Sequence, residues 1–476
     1  MNNKEPRKPQ LWEALLVLVL LIAVIAVGII ICEVDPHVPM FVGVIIAAIM
    51  ALHLGYKWDV IESFMVEGIK KAMQSIMILV VIGILIGVWL DAGVVPTMIY
   101  YGLKVLHPSI FFISALLICS ITSLATGTSW GTMGTMGVAL MGIAFGLGMD
   151  PGMTAGAIIS GSYFGDKMSP FSDTTNLAPG MAGTDVMTHV KFMIKPTSIV
   201  YAICIAFYGV LGIVQYKGGN ADLSSVDILA DTLDSMFNIN PLLLLPPVIV
   251  IVAVALKLPA LPGITIGIVS GAVLGMIFQP ECTMATIFSC GMNGYACETG
   301  IYEIDELLNS GGLMSMMFSV SMTMIAMMFG GIMESTGQLE VVVNKLKSFA
   351  NNPAKLVLLT ELTCIGSNAT MPEQYISIVV PGRMYAEEYD NMDLHPKTLS
   401  NALEGAGTVS SALIPWNTCG VFITGTLGVT LSQYGAFAVF NWLMPIAVAV
   451  MAFTGSCIAY KDGTTAAERK KALKNK

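Results

Sequence analysis

The stretch Gly165-Asp166-Lys167-Met168-Ser169-Pro170-Phe171-Ser172-Asp173-Thr174-Thr175-Asn176 decides how this chain is read. It sets three charges, a proline and a run of hydroxyl and amide oxygens inside sequence that is otherwise apolar. Hydrophobic residues make up 55% of the 476-residue chain and charged residues only 12%, and the mean hydropathy is +0.76. No soluble domain of this size needs so much apolar surface, so a polytopic membrane protein is expected. It should be all-α, because a spanning helix satisfies its own backbone polar groups. Ionisable groups at bilayer depth are costly unless they face water or a bound ion, so the charges in this stretch point to an ion-coupled transporter.

Working outward, uncharged runs of about 20 residues, enough to cross a hydrocarbon core roughly 30 Å thick, are clearest at Leu11 to Cys32, Val38 to Leu54, Ala72 to Leu90 and Ala436 to Tyr460. Lys4, Arg7 and Lys8 precede the first run, which is long and lacks a small-residue cleavage pattern. It reads as a retained helix rather than a signal peptide. The other basic residues gather at Lys57, Lys70 and Lys71, Lys191 and Lys195, Lys257, Lys345, Lys347 and Lys355, and from Lys461 to Lys476. Excess Lys and Arg marks cytoplasmic segments, which puts both termini inside. Glu281, Glu298, Glu303, Asp305 and Glu306 then fall outside, with the connector bearing Asp222, Asp227, Asp231 and Asp234; Lys104 is the exception. Because charge is sorted by side, the net charge of -9 says little about partners, and nothing suggests nucleic acid. The nine cysteines form no CxxC pair or metal-ligand spacing and read mostly as small buried hydrophobes. Cys282, Cys290 and Cys297 share the outer side, where a disulfide is compatible with the sequence.

An internal repeat organises the chain. Gly87-Val88-Trp89-Leu90-Asp91-Ala92-Gly93 is echoed by Gly331-Ile332-Met333-Glu334-Ser335-Thr336-Gly337. Thr126-Gly127-Thr128-Ser129 is echoed by Ile365-Gly366-Ser367-Asn368, and Pro170-Phe171-Ser172-Asp173-Thr174 by Pro415-Trp416-Asn417-Thr418-Cys419. Three matches in one order divide the chain into a tail (1–10), a first repeat (11–216), an acidic connector (217–240), a second repeat (241–460) and a basic tail (461–476). With the connector outside and both termini inside, each half crosses an odd number of times and the halves are inverted. Counting crossings makes Ser109 to Gly148 a re-entrant hairpin with its tip at Thr126 to Ser129. Its counterpart runs from Ala354 to about Glu388, with its tip at Gly366 to Thr370. Irregular backbone at membrane depth is tolerated only where it is packed in protein or lines a cavity.

Pro170 and Pro179 interrupt the helix that begins near Gly152, and a broken helix offers free carbonyls to a cation. Asp173, Thr174, Thr175 and Asn176, with Thr126, Thr128 and Ser129 from the first tip, form the candidate Na⁺ site. A carboxylate shared between Na⁺ and a proton is sufficient for antiport, since each excludes the other. Asp173 is the first choice for that role and Asp166 the second; the plainer readings are a kinked helix and an ion pair of Asp166 with Lys167. Glu404 is a further proton-coupling candidate. Glu361 is likewise a candidate proton relay, and each of the two is equally well read as a hydrogen-bonded packing acid. The second half supplies neutral groups: Ser367, Asn368, Thr370, Asn417 and Thr418. Arg383, the only arginine between the tails, reads as a solvated partner of Glu387 and Glu388. The 33 methionines read as apolar filling. No histidine pair, nucleotide loop or zinc motif is present, so no transition metal, cofactor or ATP-driven step is expected. A passive channel or an intramembrane enzyme using Asp166 and Asp173 are the readings from other classes.

These motifs resemble a known family. Ser162 through Pro170, Ser172 through Pro179 and Ala182-Gly183-Thr184-Asp185 resemble the signature of the NhaC-type Na⁺/H⁺ antiporters, as do Thr126 through Thr132 and Pro415-Trp416-Asn417-Thr418. The resemblance covers nearly the whole chain. It implies a bacterial inner-membrane antiporter with inverted repeats and paired hairpins, exchanging Na⁺ for H⁺ by alternating access. The same family includes malate/lactate antiporters, which makes a carboxylate exchanger the alternative, and by analogy it admits a homodimer.

Overall fold

Long apolar runs fold as helices here because nothing in them competes for the backbone. In the computed structural model, the described residues are 6–32, 34–217, 223–256, 258–299, 305, 308–466 and 468–469. Lys4, Asp222, Lys257, Glu303, Glu306 and residues 470–476, which carried part of the charge-sorting reading, lie outside the described residues. Apart from isolated bridges joining Leu394 to Tyr460 and Ala459 to Thr465, the regular structure is helical among the described residues. Among the described residues, five helices are long and apolar enough to cross a membrane: Met73–Asp91, Pro108–Thr126, Val186–Gln215, Leu261–Phe278 and Leu313–Ser335. With the shorter apolar helices they make a multi-pass membrane protein. Leu11–Ala26 runs on through a π-helical turn, Val27–Ile31.

Three expectations need correction. The span expected from Ala436 to Tyr460 is helical only over Val439–Thr454, because Gly455 adopts φ +82° and reverses the chain. Between the second and third expected spans lies a further helix, Trp58–Lys71, whose Asp59, Glu62, Glu67, Lys70 and Lys71 disguise it as a loop. It packs on Leu313–Ser335, where a Cβ on Gly68 would stand 3.0 Å from the Gly331 Cα. Finally, the second break lies at 371–375, not at Gly366 to Thr370, which stays helical to the end of Pro353–Thr370. Pro372 explains the shift: it lacks an N–H and drives the preceding Met371 out of the helical region, to φ -124° and ψ 83°.

The packing is crosswise between the two halves. Met73–Asp91 lies against Ala260–Phe278 and Met284–Asn293, while Leu313–Ser335 lies against His37–His53 and Trp58–Lys71. Each of these two central helices is followed by a glycine in the left-handed region, Gly93 at φ +74° and Gly337 at φ +76°, which opens the next helix.

Around Asp166, the helix Phe111–Thr126 lies along Pro151–Met168, the most extensive helix pair among the described residues. Small residues permit this approach. A Cβ on Gly165 would stand 2.5 Å from the Ser120 carbonyl oxygen and 2.6 Å from the Leu124 nitrogen. Backbone cannot yield as a flexible side chain would. Gly165→Val should therefore destabilise the detergent-solubilised protein by about 1–3 kcal/mol, read as a lower thermal midpoint. Gly180→Ala, with nothing within 4 Å of its Cβ, should leave that midpoint unchanged or slightly raised. An unshifted midpoint for Gly165→Val would contradict this packing.

Candidate functional site

The helix that carries Asp166 ends at Met168, and the chain resumes helix at Asp173 after the Ser172 hydroxyl caps the Thr175 N–H at 3.4 Å. The first hairpin breaks beside this turn. Gly127 adopts φ +70°, and a Cβ there would meet the Phe171 carbonyl carbon at 2.7 Å and the Ser172 nitrogen at 2.9 Å, so the two breaks touch backbone to backbone. Ser169 Oγ donates to the Leu124 carbonyl at 2.8 Å and Ser123 Oγ to the Ser162 carbonyl at 2.6 Å, which lock the arm to the helix.

A new helical segment starts at Ser129, with Thr128 capping the Gly131 N–H at 3.2 Å. Its first residue faces Asp166. Both the Ser129 N–H (3.1 Å) and its hydroxyl (2.7 Å) donate to Asp166 Oδ2. Unpaired N–H groups at a helix start carry partial positive charge, so this end is suited to a carboxylate. Asp166 is buried, at 5% exposure, yet one edge opens into a cavity of about 470 Å³.

Three carboxylates line that cavity: Asp166, Asp173 and Glu373. Asp173 is exposed to it, beside the Tyr375 hydroxyl. Glu373 is 2% exposed and accepts from Ser75 Oγ at 3.3 Å. Of the expected ligands, Thr126, Thr128, Ser129, Thr174 and Asn176 also line it. Thr175 does not: its hydroxyl donates to the Asp166 and Lys167 carbonyls, both at 3.1 Å, and closes the end of the broken helix. Asn176 ties the turn together, donating to the Pro170 carbonyl at 2.9 Å and the Ser172 carbonyl at 2.6 Å. Gln74 and Ile78 of Met73–Asp91, with Leu258 and Pro259 of the link into Ala260–Phe278, complete the wall. Among the described residues, no Lys or Arg lines the cavity.

The second-half residues meet one another instead of the cavity. Asn368 Nδ2 donates to the Gly407 carbonyl at 2.7 Å and to Ser410 Oγ at 3.0 Å. Asn417 Nδ2 donates to Asn368, and Asn417 Oδ1 caps Thr418–Leu427 through the Cys419 N–H at 3.0 Å. Thr370 Oγ1 donates back to the Gly366 carbonyl at 2.9 Å, and the Ser367 hydroxyl is buried without a partner. The Thr418 N–H reaches the Pro372 carbonyl at 3.0 Å, just behind Glu373. Glu404 sits in a π-helical segment, Leu403–Thr408, and accepts from Thr174 Oγ1 at 3.2 Å. Arg383 is exposed, and Glu388 pairs with Lys347 at 3.5 Å rather than with it. All nine cysteines are free thiols; Cys282 donates to Asp91 at 3.3 Å. Among the described residues, no cluster of three His, Cys, Asp or Glu could hold a metal ion.

Sequence reasoning missed Glu373, Gln374 and Tyr375, and with them Gln74 and Ser75. Placing the second tip too early hid the first three, although an acid directly after a proline inside an apolar hairpin was signal enough.

Comparison with known proteins gives this geometry a relationship. The Na⁺/H⁺ antiporter family matches residues 10–164 and 161–456. The chain belongs to the Na⁺/H⁺ antiporter family. It is 37% identical over 449 residues to the Na⁺/H⁺ antiporter NhaC of Alkalihalophilus pseudofirmus, covering 94% of this chain and 96% of that one. The malate-2H⁺/Na⁺-lactate antiporter of Bacillus subtilis is 36% identical over 470 residues, 98% of this chain and 99% of its own. The arginine/ornithine antiporter ArcD of Halobacterium salinarum is 36% identical over 458 residues, 96% and 94% of the two chains. Members of this family named as antiporters are secondary transporters, and this chain is one; it is not an enzyme.

In this family member the Asn368–Asn417 pair holds the second break together. Removing one amide leaves the other buried without its partner, so Asn417→Ala should lower stability by about 1–3 kcal/mol. Thermal unfolding would show it. A shift no larger than that of Gly180→Ala, whose added Cβ meets nothing within 4 Å, would mean the pair is dispensable.

Proposed function

We propose that the chain exchanges Na⁺ for H⁺ at the cavity between the two chain breaks. Asp166 and Asp173 alternate there between the cation and a proton. The observation that carries this reading is the lining: three carboxylates with hydroxyl and carbonyl oxygens, and, among the described residues, no basic side chain. Such a site attracts a hard cation, and without one its carboxylates repel each other and favour protons. Na⁺ and H⁺ are thus mutually exclusive occupants, the condition for exchange.

Alternating access needs two bodies, and the cavity wall comes from two. Gln74, Ser75 and Ile78 belong to the crosswise-packed Met73–Asp91, and Leu258 and Pro259 to the link that enters Ala260–Phe278; the other lining residues lie at or beside the breaks after Thr126, Met168 and Thr370. Support for inverted repeats comes from the order of elements. Met73–Asp91, Gly93, Phe111–Thr126 and Asp173–Ala182 run in the same series as Leu313–Ser335, Gly337, Pro353–Thr370 and Thr418–Leu427. Both ten-residue helices begin at a side-chain cap, Ser172 or Asn417, and end at a left-handed glycine, Gly183 or Gly428. With Lys and Arg on the cytoplasmic side, both termini lie inside a bacterial cell membrane. Pairing of two copies through the outer helices is in keeping with this arrangement.

The relative named as a malate-2H⁺/Na⁺-lactate antiporter supports a second reading, carboxylate exchange coupled to Na⁺ and H⁺. The charged groups a carboxylate would meet in this cavity, among the described residues, are all acids unless Na⁺ or protons enter with it, so the cation reading ranks first.

Purified protein in sealed liposomes with an internal pH dye separates the two. Dissipation of an imposed proton gradient by NaCl alone is expected; a response only after malate or lactate is added would establish the second reading. Asp166→Asn and Asp173→Asn should each abolish the Na⁺ response in protein that elutes as wild type. Ser129→Ala removes one hydrogen bond to a charged group, worth about 1.5 kcal/mol. It should raise the Na⁺ concentration for half-maximal response roughly tenfold. Normal coupling in either Asp variant would remove that carboxylate from the exchange.

A further inference from the structure

Next to Asp166 in sequence, Lys167 turns away from the cavity into the interior. Its side chain is 0% exposed, and its ammonium lies 3.1 Å from the Met193 sulfur, a weak acceptor. Its counter-charges come from the second half, Glu404 and Glu361, neither of them within ion-pair distance. Around it gather buried polar atoms without a protein partner: Glu361 Oε1, Glu404 Oε2, both amide atoms of Asn401, and His189 Nε2. Each of these side chains is at most 2% exposed. Glu361 Oε1 lies against Gly405, where a Cβ would stand 3.8 Å away, and Asn401 is one turn before Gly405. None of Lys167, Glu361, Asn401 or His189 lines the cavity.

So many orphaned polar atoms in one buried place are abnormal, since the great majority of buried polar groups are bonded to protein or ordered water. A polar interior lined by several such groups is suited to water, each molecule making two to four bonds. The cluster also has two ends. At one, Cys457 is near enough to both Glu361 and the exposed Lys195 to feel their charges, and the His189 Nδ1 meets Ser400 Oγ at 2.8 Å. At the other, Glu404 accepts from Thr174 Oγ1 at 3.2 Å, Thr174 meets Ser172 Oγ at 3.1 Å, and the Ser172 hydroxyl bears on Asp166. The cluster therefore reaches Asp166 through Thr174 and Ser172, which line the cavity, while its own members Lys167, Glu361, Asn401 and His189 do not.

We propose that the exchanged proton travels this separate route, with Glu361 as its carrier and Asn401 and bound water as its neighbours, while the cation uses the cavity. The titratable and charged groups facing Glu361 are Lys167, Cys364, Tyr389 and Cys457, with Glu404 beyond Lys167. Lys167 compensates one carboxylate, so the second has no counter-charge of its own and is free to hold the proton in transit. Intramembrane acids and histidines in chains are the usual material of proton relays.

This inference rests on the cation–proton reading, and two readouts in the same liposomes tell their failures apart. Exchange of labelled Na⁺ for unlabelled Na⁺ at constant pH needs the cation site and no proton, whereas Na⁺-driven proton movement needs both. Glu361→Gln should keep Na⁺/Na⁺ exchange and lose proton movement by about a hundredfold, the low end of what a positioned proton-transfer group contributes. Glu361→Asp should recover part of it. Proton movement at the wild-type rate in Glu361→Gln overturns the route, and so does equal loss of both readouts in protein that elutes as wild type. If Glu361→Gln fails to fold, Asn401→Leu takes the same test, with slowed proton movement and retained Na⁺/Na⁺ exchange expected; any other combination rejects the proposal. Absence of Na⁺-driven proton movement in the wild type would instead bring down the antiport reading itself.

Discussion

The constraint on which the rest depends is that two opposite charges, Asp166 and Lys167, occupy successive positions of a buried helix. Residues one apart on a helix point about 100° from each other, so one pocket cannot serve both. The fold meets them separately. Asp166 is met by the start of the helical segment at Ser129, with an N–H and a hydroxyl on one carboxylate oxygen. Lys167 is met at a distance by Glu404 and Glu361 from the other half of the chain. A charge left without such partners would cost several kcal/mol, so the hairpin tip and the second-half acids are conditions of folding as much as of function.

That double requirement accounts for the local oddities. The first arm must come close enough for its tip to reach Asp166, and the glycines of Pro151–Met168 remove the side chains that would hold it away. The breaks must present backbone groups without exposing them to lipid. Ser172, Asn176 and Asn417 answer by capping or tying the turns with their own side chains. The π-helical segment carrying Glu404 leaves the Gly407 and Thr408 carbonyls to accept from Asn368 and Gln374. π-helical turns of this kind concentrate at functional sites.

The two halves resemble one another in order but differ in chemistry at the same place. The first-half break holds Asp173 in an open cavity; the second-half break holds Asn417 in a sealed amide network. An amide pair can satisfy itself completely, whereas a cluster of acids cannot. This difference fits the cation site proposed at the first break, and sets the second behind the Glu373 that follows Pro372.

What the sequence by itself determined was class and chemistry: a helical membrane protein, a break at Gly127, a helix broken after Met168, and acids at Asp166 and Asp173 beside hydroxyl groups. These are local properties, set by hydropathy, by proline and glycine, and by the cost of charge in lipid. Only the tertiary structure decided which groups share a space. It brought Glu373 and Ser75, 298 residues apart, to one wall, withdrew Thr175 into the helix end, and kept Ser367, Asn368 and Asn417 away from the cavity. It also gave Lys167 to Glu404 and Glu361 rather than to Asp166. Pairings of that kind depend on which helices pack crosswise, and the one-dimensional pattern of apolar residues does not encode the choice, because a helix face suited to one apolar neighbour is equally suited to another.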